Sequence, residues 1–193
     1  MGMVGSIGWL VSLMADKGQR RYGLHDVTQL QHALQSATLA ERSGGTPALI
    51  TAALLHDIGH MVHALGENPA ADDIDDRHEA VGHAFLVRYF RADVTDPIRL
   101  HVAAKRYLCA VEPDYAALLS PDSVLSLRLQ GGPMSPAEVA AFRNEPHAAT
   151  ALRLRRFDDE AKVKDLATPD LQHFVPYLAQ CHIHSGAGAM QPT

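Results

Sequence analysis

Hydrophobic and polar positions recur at helical spacing along most of the chain, and no stretch sustains the alternation of a half-buried strand. Ile7 to Lys17 makes a short amphipathic helix that Gly18 ends. A second helix is expected over residues 27–43, where Leu30, Ala33, Leu34, Ala37 and Ala40 share a face, with Asp26 placed to cap it and Gly44-Gly45 to stop it. After Thr46-Pro47, residues 48–58 are apolar on every side, the mark of a buried helix, and Gly59 follows as its end. Residues 67–76, ENPAADDIDD, are acidic and aperiodic and read as a surface loop. Helices resume over 77–90, from Asp96-Pro97 through Val111, in a short piece between Pro113 and Pro121, and over 122–129. QGGPM (130–134) is a tight loop, and Ser135 to Glu138 has the pattern of a capping box opening 136–144. A long helix over 147–163 and a last one over 169–182 complete the set, with 185–193 a flexible tail. The expectation is one all-α domain over residues 1–193, with no internal repeat.

Composition narrows the functional classes. A chain of 193 residues that is 47% hydrophobic and 20% charged has material for one core. A net charge of −5 disfavours a nucleic-acid partner, and no apolar run is long enough to span a membrane. The start lacks the basic region and cleavage site of a signal peptide. Cys109 and Cys181 have no metal or redox spacing and read as reduced thiols of a cytoplasmic protein. Nothing in the chain sets an oligomeric state. The unusual number is twelve histidines.

Candidate chemistry centres on LLHDIGH (54–60). His56 and Asp57 are adjacent, and neighbouring helical residues diverge by about 100°. They reach one ion only if the helix is packed against the site, although Asp57, with two oxygens, can also bridge to a second. His32, His78, His101 and Asp158 each fall on a different expected helix, as a metal site inside a bundle demands. Nitrogen and oxygen donors without thiolate favour iron, manganese or a similar divalent ion. His63, His83, His147, His173, His182 and His184 read as ordinary surface or core histidines, and Asp159 competes with Asp158.

The doublet resembles the signature of the HD superfamily of metal-dependent enzymes. Further motifs narrow the likeness: Tyr22 ten residues before His32, His60 within LLHDIGH, His78-Glu79, HVAAKRYL (101–108), QGGPM and RRFDDEAK (155–162). From Tyr22 to Lys162 the chain resembles the mixed-valent diiron oxygenases that degrade organophosphonates, distant relatives of myo-inositol oxygenase. The resemblance implies one iron on His32, His56, Asp57 and Asp158, a second on Asp57, His78 and His101, the pair cycling between Fe(II) and Fe(III), and O2 as co-substrate. It implies that Tyr22 guards the first iron and that Lys105, Ser123, Arg155 and His60 surround a phosphonate, whose dianion suits cationic and forked donors. Three residues after Tyr22, relatives that oxidise a primary amine carry a glutamate, and this chain has His25 followed by Asp26. The expected reaction is oxidative cleavage of the C–P bond of a 1-hydroxy-2-aminoethylphosphonate, primary or trimethylated, giving phosphate and glycine or glycine betaine. The alternatives are a metal-dependent phosphohydrolase of nucleotides or phosphodiesters and a catalytically silent binding domain.

Overall fold

The structure, a computed structural model, describes residues 6–23, 25–62 and 73–183. The tail over 185–193, the start of the acidic segment, His63 and His184 lie outside these. The fold is all-α, eleven helices being described with two isolated β-bridges and no extended strand among the described residues.

The centre is α3 (Pro47–Leu55), buried from Leu49 to Leu55 and begun by Thr46, whose side chain accepts from the Leu49 N–H. Its apolar surface is covered by α2 (Gln29–Arg42), α6 (Ala92–Val111) and α11 (Leu171–Cys181). α1 (Ile7–Lys17) contributes buried Leu10 and Met14 to the same core. α10 (Ala148–Glu160) packs most closely on α6 and also touches α2 and α3, with Leu154 and Ala151 buried at these contacts. α4 (Ile58–Val62) and α5 (His78–Leu86) pack together, and α5 leans on α6. α7 (Tyr115–Leu118), α8 (Pro121–Leu129) and α9 (Pro136–Arg143) fill out the far side, α9 opening with the expected capping box on Ser135 and Glu138.

Several boundaries differ from the sequence reading. The helix expected over 48–58 stops at Leu55, turns at His56-Asp57 and restarts as α4, so Gly59 lies inside a helix and does not end one. Thr28, not Asp26, caps α2, because the Thr28 side chain accepts from the Gln31 N–H while Asp26 faces solvent between Arg21 and Lys164. α6 begins at Ala92, four residues before Asp96-Pro97, and carries Pro97 buried in its second turn, where the proline deprives one carbonyl of its donor. α5 ends at Leu86 and α10 spans 148–160, both shorter than their apolar periodicity implies. Among the described residues no helix is long and apolar enough to cross a membrane.

Candidate metal centre

The turn at His56-Asp57 removes the 100° problem. With α3 ended at Leu55 and α4 beginning at Ile58, the His56 ring and the Asp57 carboxylate face one interior space, both buried. His32 enters from the first turn of α2, Asp158 from the last turns of α10, His78 from the first position of α5 and His101 from the middle of α6. α5 comes this close because Gly59 lets it: a Cβ there would lie 2.0 Å from the His78 carbonyl oxygen.

Asp57 divides the donors into two sets. Its Oδ2 is 3.5 Å from His32 Nε2 and 3.5 Å from His56 Nε2. Its Oδ1 is 3.4 Å from His78 Nε2 and 3.6 Å from His101 Nε2. Asp158 Oδ1 joins the first set, 3.4 Å from His32 Nε2 and 4.0 Å from His56 Nε2. All six expected ligands therefore meet.

Three observations show that this donor set fits metal ions. The Nδ1 of His32, His56 and His101 lie 2.8, 2.9 and 2.7 Å from the carbonyl oxygens of Ala161, Ala53 and Ile98, and that of His78 is 2.9 Å from Asp76 Oδ1. Those partners only accept, so each Nδ1 carries a hydrogen and Nε2 is the nitrogen each ring turns toward the shared space. The His32 and His56 Nε2 atoms then stand 3.1 Å apart, as do those of His78 and His101, an arrangement that needs a cation between them. Donors at about 2.1 Å from one ion stand about 3 Å apart when cis, which matches. Finally, both Asp57 oxygens are buried without a hydrogen-bond donor, a state that is unfavourable unless a cation answers them, whereas Asp158 Oδ1 already has the Lys162 ammonium at 3.1 Å.

Electrostatics agree with the geometry at the two carboxylates, whereas burial lowers His78 but Asp76, then Asp57 and Glu79, outweigh it and raise the ring to about 9, a proton that a bound metal would displace. Burial pushes the Asp57 carboxyl up, but His56, His32, His60 and His78 outweigh it and hold the group well below the usual carboxylate range. Burial likewise raises Asp158, and Arg155, then Lys162 and the imidazoles, bring it far down. Burial lowers His56 and, more strongly, His101. The Tyr22 hydroxyl is pushed well up by burial and then by the Asp158 and Asp57 charges, so it is a neutral phenol. Its ring stacks on His32, 4.0 Å between centroids.

A cavity of about 110 Å³ opens on these donors. Tyr22, His25, Lys105, Ser123, Arg155 and His60, all named from sequence, line it, and Asp26 does not, being held at the surface by Arg21 and Lys164. Lys105 is 2% exposed, its Nζ donates to Ser126 Oγ at 2.8 Å, and burial, then Arg155, lowers its pKa to about 7. Ser123 sits in the first turn of α8 beside its cap Ser120. Arg155 is more committed than expected. Its Nε donates to the Tyr115 hydroxyl, one terminal nitrogen to Asp158 Oδ2 at 2.6 Å and the other to Asp159, so three of its five N–H donors are engaged. Its first task is to hold Asp158 with Oδ1 facing His32. Asp159 thus lies one step outside the centre.

Sequence reasoning missed part of the wall. Lys162 lines the cavity with Nζ 3.1 Å from Asp158 Oδ1, and Gln29, Gln130, Asp122 and the end of the acidic segment, Ile74 to Asp76, line it too. His25 Nε2 lies 3.8 Å from Asp122 Oδ2. The position of Lys162, four residues after Asp158 and inside the helix expected over 147–163, was the available signal. No periodicity marks Asp76. Of the other histidines, His83 and His147 flank Asp96 and His173 pairs with Glu41, all away from the centre.

Residues 30–167 match the HD domain family. The chain is 50% identical over 179 residues to a Gimesia maris protein named hydroxymethylphosphonate dioxygenase, covering 91% of this chain and 88% of that one. It is 45% identical over 163 residues to a Leisingera caerulea protein named [1-hydroxy-2-(trimethylamino)ethyl]phosphonate dioxygenase (glycine-betaine-forming), covering 84% and 83%. An uncharacterised protein of Acanthamoeba polyphaga mimivirus is 30% identical over 184 residues, covering 92% and 84%.

Proposed function

We propose, from the premise that this chain belongs to the HD-domain family and groups with its phosphonate dioxygenases, that it cleaves the C–P bond of a small 1-hydroxyphosphonate with O2 at a two-iron centre. The observation that carries the reading is Asp57, with one oxygen toward the His32–His56 pair and the other toward the His78–His101 pair. His32, His56, Asp57 and Asp158 would hold one iron and Asp57, His78 and His101 the other; when bound, they supply Lewis acidity and the electrons for O2 chemistry. The reaction balances as HO–CHR–PO3²⁻ plus O2 giving RCOO⁻, HPO4²⁻ and a proton: C1 loses its hydrogen and its bond to phosphorus and becomes a carboxylate.

The chain's own residues bind and orient. Lys105, Ser123 and Ser126 form a buried cationic and hydroxylic wall for the phosphonate oxygens, with Lys162 close to the metal donors. Tyr22 covers His32 and closes the first-iron side from the loop that Tyr22 N–H to Val27 O (2.9 Å) and the Arg21–Thr28 bridge tie shut. Gly23 gives that loop its left-handed turn, at φ +51°, and rests on Asp122, where a Cβ would meet the carboxylate at 2.4 Å. Backbone carbonyls hold the Nδ1–H of His32, His56 and His101, which leaves their Nε2 atoms to face metal.

A cavity of about 110 Å³, against the 10–15 Å³ that one water needs, supports a substrate of small-phosphonate size, and the assay decides between the hydroxymethyl, aminoethyl and trimethylated compounds. The test is O2 uptake and phosphate release by iron-loaded protein on all three phosphonates, in air and without O2. Turnover that requires O2 and yields one carboxylate per phosphate is expected; equal phosphate release without O2 on manganese would overturn the oxygenase in favour of a hydrolase.

A further inference from the structure

The acidic segment read from sequence as a surface loop ends in a residue with a different task. Asp76 Oδ1 lies 2.9 Å from His78 Nδ1 and 3.3 Å from the His78 backbone nitrogen, while Oδ2 lies 2.8 Å from His60 Nδ1. One carboxylate thus spans two imidazoles, and the rings stack 4.1 Å apart at 21°. Asp73, three residues earlier, does none of this and pairs with Arg128 at the surface.

We infer that Asp76 is a positioning residue that clamps His78 and His60 together, fixing both as Nδ1–H tautomers so that the second metal position forms on His78, His101 and Asp57. An ionised carboxylate only accepts, so both rings must donate from Nδ1, which leaves Nε2 of His78 as the nitrogen that faces Asp57 Oδ1 and His101. The other ligands take this support from backbone carbonyls of the helices that carry them or pack against them. His78 cannot. It is the first residue of α5, after Arg77 in a left-handed conformation, so no preceding turn of helix offers it a carbonyl, and Asp76 stands in. The second ion therefore depends on a side chain outside the helices, and the first does not.

The inference rests on the two-metal reading above, and metal titration separates the two. Full-length metal-free protein is titrated with Mn(II) by calorimetry, with electron paramagnetic resonance to distinguish single from paired ions. The parent is expected to take up two equivalents, and His101→Ala identifies which step belongs to the second position. Asp76→Ala should weaken that step 10–100-fold and leave the first intact, the intact first step also reporting that the protein is folded. Asp76→Asn is close in size but turns an amide donor toward one of the two N–H groups, so it should behave like Asp76→Ala. Asp76→Glu should recover most of the loss, and Asp73→Ala should match the parent. Asp76→Ala or Asp76→Asn binding both ions at parental affinity overturns the clamp alone, as does equal weakening of both steps. A parent that binds one ion overturns the two-metal reading and the clamp with it.

Discussion

Lys105 places a buried ammonium against Ser126 Oγ, its hydrogen-bond partner among the described residues, and the Arg155 guanidinium nearby opposes its charge more than Asp158 supports it. Burial, then Arg155, holds its pKa at about 7 against an ordinary value of 10.5. The unfolded chain therefore keeps a proton that the folded one gives up between those values. The penalty is complete below about pH 7 and is progressively relieved as pH rises toward 10.5. Lys105→Met keeps the stem and deletes the charge. It is expected to raise Tm by several degrees near pH 7, at about 2–4 °C per kcal/mol, with the gap to the parent narrowing toward pH 10. The same variant should raise KM for a hydroxyphosphonate tenfold or more. Melting curves across pH and initial rates check both, and a variant no more stable than the parent refutes the strain argument. Asp158 and Asp159 offer a second contrast. Asp158 faces the imidazoles, whereas Asp159 reaches only Arg155 and Tyr115. Asp158→Ala should lose about one metal per chain, and Asp159→Ala should retain both metals with slower turnover, as metal analysis and rates will show.

Among the elements, the break between α3 and α4 is what makes the centre possible, and it was invisible in the apolar periodicity. His56 keeps helical backbone angles, φ −58° and ψ −35°, so nothing local to it departs from a helix. What ends α3 is tertiary: α5 presses the His78 carbonyl against Gly59, and α4 follows that contact. Such a close approach reads in sequence only as a glycine, and a glycine after an apolar run reads first as a stop. The same limit hid Pro97, whose buried place in α6 rests on packing and not on helix propensity. By contrast α1, α8, α9 and α11 were legible to within about two residues, because Ser6, Ser120, Ser135 and Asp170 cap them locally. The candidate metal donors could be named from sequence for another reason: they are polar residues within or at the ends of apolar helical segments. Tautomer support could not, since Ala161, Ala53 and Ile98 act through carbonyls that every residue has. Gly59→Ala tests the element-level account. With 2.0 Å between the added Cβ and backbone oxygen, α4 and α5 must part. Destabilisation of about 3 kcal/mol or more is expected, with loss of the second metal step before the first. Denaturant unfolding and Mn(II) titration read these, and a variant with parental stability would show that the helices are not locked together there.

Across the whole molecule, the six donors come from α2, the α3–α4 turn, α5, α6 and α10, which are also the helices that share the largest contacts. Two ions held there would act as cross-links between segments as far apart in sequence as His32 and Asp158. The metal-free core instead leaves both Asp57 oxygens without donors and brings imidazole Nε2 atoms within 3.1 Å of one another. Metal that binds only the folded state stabilises it by about 2.7 kcal/mol for each site filled at a hundred times its dissociation constant. Two sites so filled correspond to roughly 10–20 °C in Tm for a chain of this size. Chelation should remove that increment, and Fe(II) or Mn(II) returned without O2 should restore it. Adding the metals singly sharpens the expectation: Asp57 faces both positions, so Asp57→Asn should abolish nearly the whole increment, whereas His101→Ala should forfeit about half. Scanning calorimetry of the parent and the two variants, with and without chelator, decides it. A parent whose melting is indifferent to chelation would mean that the imidazoles are held by the protein alone and that the buried carboxylates are answered by something other than metal.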